Sequence, residues 1–161
     1  MLKSRFILLS AACLYVATAL TLAQSSGGPV VFTNDSAKWL DCPGMPAGCQ
    51  MFRLYGDPTQ SGEFAVRFKY VANYRIGPHT HAGDEHATVI SGGPFHVAVG
   101  DVFDLTSASG QTAHTGDMLV VPAGTHHFAW AQGATILQVN GMGPFKRDFL
   151  NPANNSSGVP K

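Results

Sequence analysis

His79 and His81 stand two residues apart, Glu85 follows four residues later, and His126-His127 come far downstream, just after Pro122-Ala123-Gly124. Imidazole nitrogens and a carboxylate are what a divalent ion binds. Imidazole suits Fe, Zn, Ni and Cu, and the carboxylate widens the choice to Mn. No cysteine stands among these residues to bias the set towards softer ions. Three neutral imidazoles and one carboxylate would leave such an ion with a net charge of about +1 and with open positions. An open site of this kind can polarise a carbonyl or enolate, activate water, or host dioxygen if the metal is redox-active.

These side chains must be positioned by strands. Residues two apart on a strand project to one face, so His79 and His81 can point together. Ala82-Gly83-Asp84 can turn the chain, and Glu85 then opens a strand running to Ser91. On it Glu85, Ala87, Val89 and Ser91 share one face and His86, Thr88 and Ile90 the other. Glu85 and His86 therefore cannot both reach one pocket without a bulge. The small Ala87 leaves room beside Glu85. Downstream, Val120-Val121 is apolar strand, Pro122-Ala123-Gly124 makes a corner, and His126-His127 begin the next strand. Adjacent histidines point apart, so only one of the two can join.

The surrounding texture is all-β. Phe64 to Tyr70 alternates bulky with small or charged residues, a period-two strand signal. Ala87 to Ile90, Phe95 to Val99, Met118 to Val121 and Thr135 to Val139 are further β-rich runs, separated by turn clusters such as Gly92-Gly93-Pro94 and Gly116-Asp117. Short strands at this spacing suggest a sandwich or barrel. Ahead of them, Val30 to Asp57 is an irregular lead-in whose best strand is Gln50 to Tyr55. Asn151 to Lys161 is a polar tail, with overlapping glycosylation sequons at Asn154 and Asn155. No long amphipathic helix is evident.

Lys3 and Arg5 precede the apolar run Phe6 to Leu22, and Thr21-Leu22-Ala23 supplies small residues at cleavage offsets. This pattern predicts a secretory signal peptide over 1–23, cut before Gln24; an uncleaved anchor is the alternative. Removal leaves about 138 residues with a formal charge of about −2, enough for one domain with a core. Without a basic stripe or an acidic block, nucleic acid and anionic membranes are not expected partners. Export also places Cys42 and Cys49 in an oxidising compartment, periplasmic or extracellular, where a disulfide is expected.

The two histidine segments, with their glycines, resemble the paired motifs of the cupins. The first cupin motif is a Gly, His-x-His, three or four residues, Glu, then six residues and Gly; here His79-Thr80-His81, Glu85 and Gly92 match it. The second is Gly, five residues, Pro-x-Gly, two residues, His, three residues and Asn; here Gly116, Pro122-Ala123-Gly124 and His127 match it. Two positions depart: Asn73 stands where the first Gly is expected, and Ala131 replaces the final Asn. The resemblance selects His127 over His126 and Glu85 over His86, in agreement with strand parity. It implies an all-β double-stranded β-helix, a jelly-roll barrel, over 63–145. An N-terminal extension with short strands would occupy 24–62 and a tail 146–161. It also implies one divalent metal ion (Fe, Mn, Zn, Ni or Cu) on His79, His81, Glu85 and His127. Leu54 to Pro58 and Asp84 to Gly92 resemble small exported bacterial cupins in particular.

Three functions fit that resemblance. The first is a metal-dependent enzyme on a small organic molecule, either an oxygenase or a Lewis-acid isomerase or lyase. The second is a non-catalytic protein that binds or senses a metal or small ligand. The third is a structural or storage protein. A small molecule is the expected partner in the first two, and homodimerisation through sheet faces or edges is compatible with all three.

Other residues have expected places. Gln138 or Asn140 could accept from the ligand imidazoles, and Phe64, Phe68, Phe128 and Trp130 are expected in ordinary core packing, with walling a pocket as the alternative. Arg67 and Lys69 share a face that could meet an anion or simply solvent. His96, in an apolar strand, is expected in the core, and His86, His114 and His126 are expected outside.

Overall fold

A computed structural model of the chain describes residues 28–33 and 37–151. The predicted signal peptide over 1–23 and the sequons at Asn154 and Asn155 lie outside the described residues. The chain divides into two compact units, 1–31 and 32–161. The second carries eleven strands among its described residues and no helix.

The strands are β1 (Leu40–Asp41), β2 (Cys49–Tyr55), β3 (Gly62–Tyr70), β4 (Tyr74–Thr80), β5 (Glu85–Gly92), β6 (Phe95–Val99), β7 (Gln111–Ala113), β8 (Met118–Val121), β9 (His127–Ala131), β10 (Thr135–Gly143) and β11 (Asp148–Phe149). They form two antiparallel sheets, ordered β1-β2-β3-β10-β5-β8 and β11-β4-β9-β6-β7. Successive strands repeatedly alternate between the sheets, as in a jelly roll. The chain is all-β, as its texture implies.

Inward residues of both sheets make one core. Val66, Val89, Leu137 and Val139 come from the larger sheet, and Tyr74, Ile76, Phe95 and Ala129 from the smaller. Tyr70 stacks between Tyr74 and Phe95, with ring centres 5.2 and 6.0 Å away. Across the smaller sheet Tyr74, Ala131 and Phe95 lie in one row. Ala131 is wholly buried there, so the departure from the motif's Asn fills an apolar level of the barrel.

Asn73 has a φ of +62°, the sole non-glycine residue with a positive φ among those described. Asparagine enters this left-handed region more readily than most side chains. The second departure from the motif therefore preserves the backbone conformation that a glycine would supply.

Cys42 and Cys49 are joined by a disulfide, with Cα atoms 5.5 Å apart. The bridge closes the turn between β1 and β2, and β2 extends the larger sheet beside β3. At the other end, β11 pairs with β4, setting Phe149 opposite His79. The segment from 146, expected from sequence to be tail, thus returns to the strand that carries the first two histidines.

Candidate metal centre

β4 should not, by simple alternation, point both its core residues and its histidines inward. Tyr74 and Ile76 are buried, and with period two Pro78 and Thr80 would follow them. The pairing with β9 slips between Ile76 and His79, so that Ile76 faces Ala129 and His79 faces His127. This irregularity at Gly77-Pro78 resets the parity, and His79 and His81 turn into the barrel. Proline suits such a place because it has no N–H to give to the ladder.

Two hydrogen bonds lock the first histidine segment to the second. The Gly124 N–H donates to the His81 carbonyl at 2.8 Å. The Ala123 N–H donates to the Asp84 carboxylate, also at 2.8 Å. The Pro122-Ala123-Gly124 corner is thereby fastened to the turn between β4 and β5, which aligns His127 with Glu85.

The result is a buried cluster of His79, His81, Glu85 and His127, exposed by 2%, 3%, 8% and 2%. One potential ligand atom from each lies within 4.8 Å of all the others. Atoms about 2.1 Å from a shared ion stand at most about 4.2 Å apart. The cluster need draw in by only about half an ångström to hold one.

Each ring is aimed by a backbone carbonyl. His79 Nδ1 lies 2.7 Å from the Gly77 oxygen, His81 Nδ1 2.9 Å from that of Lys146, and His127 Nδ1 2.9 Å from that of Thr125. A carbonyl can only accept, so each neutral ring keeps its proton on Nδ1 and offers the Nε2 lone pair. The Nε2 atoms of His81 and His127 lie 3.4 and 3.5 Å from Glu85 Oε2. His81 Nε2 is buried with no hydrogen-bond partner. Such an atom is costly to bury, and a cation shared with Glu85 would satisfy it. The donor set and this orphaned nitrogen both fit a divalent metal.

The charge states agree. Burial drives the His79 imidazole down to about 2, helped by the nearby Arg147 cation, so the ring is neutral. Burial alone would raise the Glu85 carboxyl, but positive charge facing it from His127 and His81, which protons or a shared cation on their Nε2 side supply, outweighs burial and holds it below the usual carboxylate range. Neutral imidazoles and an ionised carboxylate are the forms that bind metal.

A cavity of about 580 Å³ opens on His81, walled by Phe64, Phe68, Met51, Phe145 and Phe149 among others. Phe145 stacks on His81 with ring centres 4.2 Å apart. A far smaller inner pocket of about 20 Å³ touches His79, Glu85 and His127. Arg147 borders both spaces.

No protein-family model matches the sequence, and no curated protein matches it. Solved structures do. An RmlC-like cupin from Shewanella frigidimarina superposes with a TM-score of 0.54 at 20% identity, covering 71% of this chain and 91% of that one. The chain has the cupin fold. The polyketide cyclase RemF from Streptomyces resistomycificus shares it, with a TM-score of 0.58, 16% identity and coverage of 77% and 88%. So does salicylate 1,2-dioxygenase from Pseudoaminobacter salicylatoxidans, solved as adducts with gentisate. Its TM-score is 0.52 at 16% identity, over 66% of this chain and 30% of that one. At these identities the likeness carries the cupin barrel and leaves its chemistry to the site.

Some expected placements hold on this cupin barrel and others change. His86 is exposed, and His126 turns out to the Asp101 carboxylate at 2.7 Å. His96 is not in the core. It lies on the outer face of β6, hydrogen-bonded to Thr112 and Gln132 and stacked on Trp130 at 4.6 Å. Phe128 and Trp130 project from the same outer side, where Phe103 packs on Phe128 at 5.1 Å. They wall no part of the metal cavity, whereas Phe64 and Phe68 do. Gln138 and Asn140 bond each other at 3.2 Å, and Gln138 accepts from Arg67. The imidazoles use main-chain acceptors instead. Lys69 sits 4.5 Å over the Trp39 ring. Arg147 was missed by sequence reading, although Phe145, Arg147 and Phe149 alternate at period two and so share a face.

Proposed function

We propose that this chain is a mononuclear metalloenzyme of the exported type, acting on a small organic molecule with an apolar body, and that its chemistry is of the oxygenase kind. One observation carries the reading. A convergent set of three imidazoles and one carboxylate meets, through His81, an apolar cavity large enough for a substrate, about 580 Å³. Structural metal sites are closed by their ligands, whereas catalytic ones keep a position open to substrate. A divalent metal held by His79, His81, Glu85 and His127 would supply Lewis acidity and, if redox-active, a place for dioxygen to react.

The protein's part is to orient and to exclude water. Phe64, Phe68, Phe145 and Phe149 present an apolar wall, so a bound molecule loses its hydration beside His81. The Gly77, Lys146 and Thr125 carbonyls hold the three rings in place. An isomerase or lyase must move a proton on the substrate and needs a protein base. Besides His79, Glu85, His127 and Arg147, the inner pocket holds one titratable group, Tyr70. Burial pushes its hydroxyl well above the usual range, so it can donate a hydrogen bond but cannot serve as a base. This favours the oxygenase over the isomerase. The salicylate 1,2-dioxygenase of the same fold is consistent with that choice.

The same lack of a base supports a second reading, a protein that binds or senses a small ligand without turnover. Elemental analysis of the protein from its native compartment, with oxygen uptake over a panel of small phenols and aromatic acids, separates them. Iron with oxygen uptake is the expected result. Bound metal with ligand-dependent stabilisation and no consumption of any panel member would establish the second reading. Absence of any stoichiometric metal would overturn the enzyme reading.

A further inference from the structure

Arg147 stands out because its side chain is half-buried and no carboxylate pairs with it. Its Nε is buried and has no hydrogen-bond partner. Nη1 reaches the Met45 sulfur at 3.5 Å, a weak acceptor, and the guanidinium also hydrogen-bonds the buried Tyr70 hydroxyl, a neutral acceptor. The guanidinium carbon lies 5.7 Å from the centre of the Phe68 ring. Among the described residues no carboxylate forms a salt bridge with it, and neighbouring Asp148 is already taken by Lys146 at 2.6 Å. A cation withdrawn from water costs stability unless it is paired. Here the fork, with neutral partners and no anion, borders the cavity that opens on His81 and the pocket containing His79, Glu85 and His127.

We infer that the cavity binds a compact organic monoanion, an apolar body bearing one carboxylate, with Arg147 as its anchor and His81 beside its other end. The guanidinium presents parallel N–H groups that match a carboxylate in two-pronged geometry. The walls are aromatic and aliphatic, which suits a flat or branched hydrocarbon body. One cation balances one negative charge, and the apolar lining would disfavour a doubly charged phosphate. A divalent ion on the four candidate ligands would leave a local charge of about +1, and Arg147 adds to it, so a monoanion lowers the total. Lys146 borders the cavity too, but its ammonium is exposed and engaged by Asp148. The choice of which end faces the metal rests on the proposed enzyme reading; the anion anchor does not.

Calorimetric titration of the purified protein with benzoate and with its neutral counterpart benzamide tests this, with metal content measured on the same sample. Benzoate is expected to bind in clear preference to benzamide. Arg147→Met should weaken benzoate at least tenfold, leave benzamide unchanged and leave the metal content unchanged. Arg147→Lys keeps the charge and loses the fork, so it should fall between, and it serves if the methionine variant melts early. Lys146→Gln should change neither ligand. No measurable benzoate binding, equal affinity for benzoate and benzamide, or indifference to both Arg147 variants would overturn the inference. Arg147-dependent benzoate binding in a protein that takes up no metal would sink the enzyme reading while leaving the anion site intact. Bound metal with charge-indifferent binding would do the reverse.

Discussion

His127 is buried, with Nδ1 on the Thr125 carbonyl, while His126, next in the chain, is about half exposed with Nδ1 on the Asp101 carboxylate. The same contrast runs through the barrel. The inner histidines, His79, His81 and His127, all anchor on main-chain carbonyls and keep Nε2 for the interior. The outer ones anchor on side chains: His126 on Asp101, His114 3.7 Å from Asp117, and His96 on Thr112 and Gln132. A main-chain acceptor is fixed by the fold, so it sets a ring's direction without depending on another rotamer. A side-chain acceptor at the surface merely satisfies the ring. The difference separates a prepared coordination site from ordinary surface polarity better than burial alone does.

The strongest test of that contrast is to remove one neighbour at a time. His127→Ala should strip most of the metal, losing more than the roughly 10- to 100-fold in affinity that loss of a supporting partner costs. His126→Ala should retain the full complement, read by elemental analysis. Equal metal content in the two variants would abolish the distinction between the faces.

Packing gives the next test. Phe128 is 1% exposed on the outer side, beneath Phe103. Phe128→Ala should cost about 3–5 kcal/mol in chemical denaturation yet leave the metal content of the surviving folded protein unchanged. Phe68→Ala, at a half-buried cavity wall, should cost less stability and alter the benzoate titration instead. The same response in both variants would mean that the faces are mechanically one.

The disulfide addresses the cavity's rim. Pro43, Gly44 and Met45 lie between Cys42 and Cys49 and border the cavity. Reduction, or Cys42→Ser with Cys49→Ser, should destabilise by about 2.5 kcal/mol on the chain-entropy account of so short a loop. It should weaken benzoate before it affects metal, because the rim moves and the ligands do not. Calorimetry on the reduced protein checks the order.

The smallest effect is the pH slope of the chelator-treated protein. The His79 pKa is about 2 in the fold and 6.5 for a free ring, so below pH 6.5 the unfolded chain binds the extra proton. The stability from this ring is complete above 6.5 and falls with pH below it, towards 2, by up to about 1.4 kcal/mol per unit. Glu85, whose carboxyl lies below its free value of 4.5, adds a loss of the same sign below that pH. His79→Gln should flatten the slope between pH 6.5 and 4.5 in denaturation at a series of pH values. An unchanged slope would show that the inner face is wetter than its burial implies.

Much of the site was legible before any fold was known. Spacing put His79 and His81 on one face and Glu85 with Ala87 and Val89 on one face. The resemblance of the two segments to cupin motifs then chose Glu85 and His127 over their neighbours. The barrel strands over Phe64 to Tyr70, Phe95 to Val99 and Met118 to Val121 were legible for the same reason, a two-residue period in bulk. His96, Phe128 and Trp130 were misplaced because alternation says that two faces differ without saying which is inside. Loop residues covering an outer face, as Phe103 does, can bury it as deeply as the core.

The sequence by itself determined an all-β chain, because two-residue alternation is local, and its resemblance to the cupin motifs picked out the donors that can share an ion. Only the tertiary structure decided what completes them. The slip at Gly77-Pro78 that turns the histidines inward depends on the register with β9. The Lys146 carbonyl behind His81 and the Arg147 cation beside the cavity come from a segment that returns to β4 after the barrel is built. Such pairings join residues far apart in the chain, and no local period records them.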